Sequence, residues 1–278
     1  DPATPKQWRK YLIMGVNDWQ KAFEKAGWKN AIRGEEWPEN DTTMSMEDAR
    51  FSMIRYLASP IPNAYGPHIS DPRTGEIMEA HVCWYHNVMS LVHDWYMVQA
   101  SSIDEAARKM HYSEELMGEL IRFVSSHEVG HSLGLRHNFG SSAMVPTDSL
   151  RNKAWVEKNG HTPSIMDYAR FNYVAQPEDG ITQKGIFPRI GDYDEWVIEW
   201  GYRPMLDAKT PMEDHKALEA MTQEAQKNPR LWWGDGEGLR GVDPRRQTED
   251  LGDDAVKSST YGVMNLKREM AQLEKWTF

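Results

Sequence analysis

The sequence predicts an α+β fold, and three observations carry that prediction. Short strand-like runs lie between residues 28 and 84, apolar residues at three- and four-residue spacing mark helices around them, and everything after residue 138 reads as loops and helices. A chain of 278 residues, 40% hydrophobic and 27% charged, suffices for one large domain or two sub-domains around a cleft.

From Thr4 to Ala26, Trp8, Tyr11, Leu12, Gly15, Trp19, Ala22, Phe23 and Ala26 recur at helical spacing, with Pro5 suited to a first turn and Gly27 to a stop. Strand character follows at Trp28 to Ile32 and at Phe51 to Leu57, the latter ended by Pro60 and Pro62. Residues 64–70 and 76–84 then flank Asp71-Pro72-Arg73-Thr74-Gly75, a turn-rich connection between two strands. A helix is expected near Asn87 to Ala100. Another begins after Ser113, with Glu114 and Glu115 in the first turn where the helix dipole favours acids. Beyond residue 138 the expected helices are a short one near Leu150 to Lys158, then Asp192 to Gly201, Pro211 to Lys227 and the tail from Gln247 to Phe278. That tail's anchors would be Ala255, Tyr261, Met264, Leu266, Met270 and Leu273.

The stretch Ser126 to Phe139, S-H-E-V-G-H-S-L-G-L-R-H-N-F, carries the chemistry. His127 and His131 lie one turn apart on the same helix face, so both imidazoles reach one small cation. Glu128 is rotated by about 100° and suits a general base better than a ligand. At Gly134 the backbone can leave the helix through a left-handed turn, letting His137 return as a third ligand. Three nitrogens and one open position describe a catalytic zinc site. Chance gives the five-residue core in roughly three such chains per hundred, but the extended pattern only in about one in ten thousand. On helical rotation, Leu116, Leu120, Phe123, His127 and His131 share an arc of about 80°, so the apolar stripe runs straight into the ligands.

H127-E-V-G-H-S-L-G-L-R-H137 resembles the zinc motif of the metzincin metallopeptidases, and Ser164-Ile165-Met166-Asp167-Tyr168 is similar to their Met-turn. Asn138, after the third histidine, matches neither the astacin nor the serralysin branch. The whole chain resembles the metzincin domain of large bacterial zinc proteases. The resemblance implies a zincin-like catalytic domain: a small twisted mixed sheet, a backing helix and a zinc helix in residues 1–137, and a mainly helical half in 138–278 bearing the Met-turn, with the cleft between. It also implies Met166 as an apolar floor beneath the metal and Tyr168 as a group that can approach zinc or the oxyanion. Tyr65, Gly66, Pro67, His68 and Ile69 would form an edge strand that holds extended peptide. The implied activity is zinc-dependent endopeptidase, one catalytic Zn2+, Glu128 as general base, and export to periplasm, cell surface or medium.

The formal charge of −10 argues against nucleic acid or an anionic membrane as partner. No apolar run of the ~18 residues needed to cross a bilayer occurs, and no charged-then-apolar leader opens the sequence. The D-P-A-T-P opening reads like a processed piece, so further domains of a longer precursor are expected. Cys83 stands alone and allows no internal disulfide. His81, His86 and His93 lack ligand-pair spacing for a second zinc, and Asp235, Glu237 and Asp243 lack the loop pattern of a calcium site. The alternatives are an inactive zinc-containing binding module and, from the twelve Trp residues, a glycan-binding domain.

Overall fold

A computed structural model describes residues 1–237 and 243–278; the sequence also suggests a Gly-rich loop from Trp232 to Gly241, and part of it lies outside the described residues. The chain forms two compact units: Asp1–Asp18, Arg33–Arg136 and Leu266–Phe278 in the first, Trp19–Ile32 and His137–Asn265 in the second.

The single helix expected over residues 4–26 is two, α1 (Lys6–Asn17) in the first unit and α2 (Gln20–Lys25) in the second. Asp18, at the end of α1, is anchored sideways: its carboxylate accepts from Arg122 at 2.8 and 2.6 Å and from the Ser126 hydroxyl at 3.0 Å. Trp19 beside it is fully buried. The chain turns there because both side chains are already committed. Residues 28–32 are not a strand, because Asn30 sits in the left-handed region at φ 53° and interrupts any extended run.

In the first unit β1 (Met53–Leu57), β2 (Ala64–Tyr65), β3 (His68–Ser70) and β4 (Ile77–Tyr85) make a small open mixed sheet. β1 runs parallel to β4, with Met53 opposite His81 and Leu57 opposite Tyr85, while β2 and β3 pair with β4 antiparallel. The period-two pattern of β4 buries Ala80, Val82 and Trp84. The helices α3 (Val88–Ala100) and α4 (Glu114–Ser132) follow. Ser113 caps α4 by accepting from the Leu116 amide, and the buried stripe Leu116, Leu120, Phe123, His127 lies on one face, as the rotation argument requires. Each of its three apolar members contributes roughly 1.5–3 kcal/mol by burial. α1 packs against α4, and their backbones approach because Ser125 and Ser126 donate to the Leu12 and Gly15 carbonyls.

The second unit contains α2, the short α5 (Thr147–Leu150), α6 (Lys153–Asn159) and α7 (Gln183–Ile186), then α8 (Asp192–Tyr202), α9 (Pro211–Ala225) and most of α10 (Ala255–Met270). Val145, Leu150, Ala169, Val174 and Leu251 form a buried cluster there. The tail differs from expectation. Residues 247–254 are not helical, and α11 (Leu273–Thr277) follows α10 separately. Met264, Leu266, Met270 and Leu273 are exposed rather than anchoring, whereas Ser258, Asn265 and Glu269 are buried. Hydrogen-bond demand sets this orientation: Asn265 donates to the Tyr173 and Ala175 carbonyls at 2.9 and 2.8 Å, and Glu269 accepts from the Ser102 amide at 3.1 Å. Among the described residues no helix is long and apolar enough to cross a membrane.

Candidate metal centre

The end of α4 shapes the centre. Gly134 takes φ 90°, its amide donates to the His131 carbonyl at 2.9 Å, and the Leu135 amide donates to the Gly130 carbonyl at 3.1 Å. This paired closure reverses the chain directly after the second histidine. One candidate ligand nitrogen from each of His127, His131 and His137 then falls within 4.8 Å of the others. Among the described residues this is the one group of three or more His, Cys, Asp or Glu placed to hold an ion. His81, His86 and His93 do not converge: His81 faces Glu79, His86 meets Tyr56, and His93 lies between Asp94 and the Lys109 carbonyl.

The donor set fits zinc. His131 Nδ1 donates to the Leu135 carbonyl at 2.9 Å, and His137 Nδ1 meets the Glu237 carboxylate, contacts that orient both rings. Three imidazoles, joined among the described residues by no fourth His, Cys, Asp or Glu, suit a borderline divalent cation with an open position. Asp235 accepts from the Glu237 amide, and Asp243 pairs with Arg245, which holds its carboxyl down at about 2.

Asn138 builds the link that brings Glu237 to His137. Fully buried, it donates to the Trp232 carbonyl at 3.0 Å and accepts from the Gly234 amide at 2.8 Å, stapling the third-histidine loop to the segment leading to Glu237. The expected effect of Asn138→Ala or Glu237→Gln is a 10- to 100-fold weaker zinc affinity with the fold retained, as for other partners that orient a ligand. Competition against a chromogenic chelator measures it; affinities equal to wild type for both variants would remove this orienting role.

The Met-turn hangs on the same loop, since the Asn138 amide donates to the Met166 carbonyl at 3.0 Å, and Met166 is fully buried. Two buried carboxylates fix the turn. Asp194 accepts from the Ser164 hydroxyl and the Ile165 amide, both at 2.7 Å, and from the Gly191 amide at 2.8 Å. Burial nevertheless pushes its carboxyl up to about 7. Asp167 accepts from the Ser142 amide at 2.6 Å and the Thr162 hydroxyl at 3.1 Å, and burial raises it well above the ordinary carboxylate range. Tyr168 lies edge-on to His137 with ring centroids 4.4 Å apart, while the Arg170 guanidinium lies over the Tyr168 ring, 4.0 Å from its centroid. Arg170 pairs with Glu249 at 2.8 Å, and both adopt positive φ, 53° and 65°, a strained pair bracketing Tyr168.

In the first unit Gly66 touches α4. A Cβ there would lie 2.1 Å from the Glu128 carbonyl oxygen, so only glycine allows this approach, and His68 Nδ1 donates to the His131 carbonyl at 3.1 Å. Tyr65, His68 and Ile69 are exposed beside it, as is Pro67. Glu128 itself is nearly buried on α4. Sequence reasoning did not find the parts played by Glu237, Asn138 or Asp194. Only Asp194 left a signal, as the acidic third residue of a helix whose N-cap amide it accepts.

A small mixed sheet beside a long helix that ends on His127 and His131 is the framework of a zincin. The Met-zincin family model matches residues 109–278, more than half of the sequence, and the chain belongs to that family. Searches of curated proteins and of solved structures returned no match.

Proposed function

We propose that this chain is a zinc-dependent endopeptidase in which Glu128 is the general base. The observation that carries the reading is the convergence of three imidazoles, two with Nδ1 engaged by a carbonyl and a carboxylate. His127, His131 and His137 would hold the ion, and zinc bound there supplies Lewis acidity toward a carbonyl and toward water. The Glu128 carboxylate takes the proton of the attacking water and delivers it to the leaving amine. The Tyr168 hydroxyl donates to the developing oxyanion. Tyr65 to Ile69 pair with an extended peptide through their backbone, and the Gly66 contact keeps that strand alongside Glu128. Peptide as substrate and export from the cytoplasm rest on the family.

Metal analysis after purification without chelator, followed by cleavage-site profiling on a peptide library, tests the reading. Zinc is expected to copurify, chelation to abolish cleavage, and added zinc to restore it. A zinc-loaded protein that cuts no peptide would instead be an inactive zinc-holding module.

A further inference from the structure

We infer that the second unit carries a separate binding site for a small polyanion bearing carboxylate or phosphate groups. The site is a cavity of about 540 Å³ whose lining includes Lys21, Lys158, Lys184 and Arg189. That volume lies in the range of small-molecule sites. Its acids are already engaged. Glu157 accepts from the Thr182 amide and hydroxyl at 3.0 and 2.8 Å, Asp192 takes Arg230 at 2.5 Å, and Glu195 takes Lys21 and Lys25 at 3.4 and 3.1 Å.

The cations are not matched in the same way. Among the described residues no carboxylate lies within ion-pair distance of Lys158, Lys184 or Arg189, although Glu157 attracts Lys184 and Asp192 attracts Arg189 from farther off, in a chain whose formal charge is −10. Arg189 uses Nη2 on the Glu157 carbonyl at 3.0 Å, and Arg230 uses Nη2 on the Asn159 carbonyl at 2.9 Å, so two guanidinium groups crowd the C-terminus of α6. Burial, then repulsion from Arg230, pulls Arg189 below its ordinary range. Arg230 Nη1 is buried without a partner. An anion in the cavity relieves this repulsion and meets Lys158 and Lys184.

The site also touches the Met-turn's support. A Cβ on Gly191 would lie 2.2 Å from the Pro163 carbonyl oxygen, the Tyr193 amide donates to that oxygen at 3.1 Å, and Gly191 lines the cavity. Occupancy therefore tightens the segment on which Pro163 and Ser164 rest.

The test titrates the zinc-loaded protein with tricarballylate and with fructose 1,6-bisphosphate, both weak chelators, at matched ionic strength. Calorimetry gives affinity, and amide exchange maps protection. At least one probe is expected to saturate with added protection over residues 154–159 and 189–195, and the double variant Lys158→Gln, Lys184→Gln to bind at least tenfold more weakly. Binding of the tricarboxylate alone assigns a carboxylate ligand, and of the bisphosphate alone a phosphorylated one. Affinity unchanged in the double variant, or no saturation below about 1 mM, overturns the inference. Neither readout depends on peptide hydrolysis, so the peptidase proposal can fail without affecting it.

Discussion

Glu128→Gln is expected to lower kcat/KM by about 10³ or more while zinc content and melting temperature hold or rise. General-base catalysis is typically worth 10²–10⁴, and glutamine preserves the shape of the side chain while being unable to take a proton. The residue sits nearly buried on α4, where an ionised carboxylate is costly to desolvate, so neutralising it does not weaken the fold. This pattern separates a catalytic from a structural role. Turnover equal to wild type on a quenched peptide, with equal metal, would remove Glu128 from the mechanism.

The second large effect concerns stability. Asp194→Ala leaves the Ser164 hydroxyl and the Ile165 and Gly191 amides without an acceptor in a fully buried place. At roughly 1–3 kcal/mol for each orphaned group, partly recovered by relaxation, the expected loss is about 3–5 kcal/mol. Asp194→Asn can still accept both amides, and Ser164 can turn to accept from the new amide, so its loss is expected near 1 kcal/mol. Urea denaturation measures both. Equal stability of the alanine variant and wild type would show that Asp194 does not support the Met-turn.

Asp194 also has a pH signature. Its folded-state value of about 7 lies above the ordinary carboxylate value, so the native state holds a proton that the unfolded state has lost between about pH 4 and 7. This group's contribution is therefore greatest at low pH and falls as pH rises through that window, by on the order of 4 kcal/mol in all. Asp250, raised to about 6, and Glu269, raised to about 7, act in the same direction, chiefly through burial. His161 opposes them. Burial lowers it to about 4, so its contribution is lost as pH falls below its ordinary value. The useful comparison is thus between wild type and Asp194→Asn, whose stability is expected to fall less steeply from pH 5 to 8. Identical slopes would mean that Asp194 is ionised throughout.

Much of the centre was legible because it is local. The ligand spacing, the Gly134 exit and the stripe from Leu116 to His131 all follow from helix geometry within twenty-odd residues, about five turns. The sheet was legible where an alternating run had a partner, as in β4, and misread at residues 28–32, where a run without one has no strand. The tail was misread for another reason. Apolar periodicity located α10 but chose the wrong face, because distant carbonyls and an amide at Tyr173, Ala175 and Ser102 demanded the polar side. The same distance hid Glu237, which read as a loop acid, and Asn138, which read only as a departure from known branches.

The carboxylate that steadies the third imidazole lies 100 residues beyond it. At roughly 5–20 residues per second of synthesis, an emerging chain exposes all three histidines about 5–20 s before that partner exists. On the proposed reading, the third imidazole therefore gains its carboxylate partner only after the far segment has been made and has docked, late in the life of the nascent polypeptide.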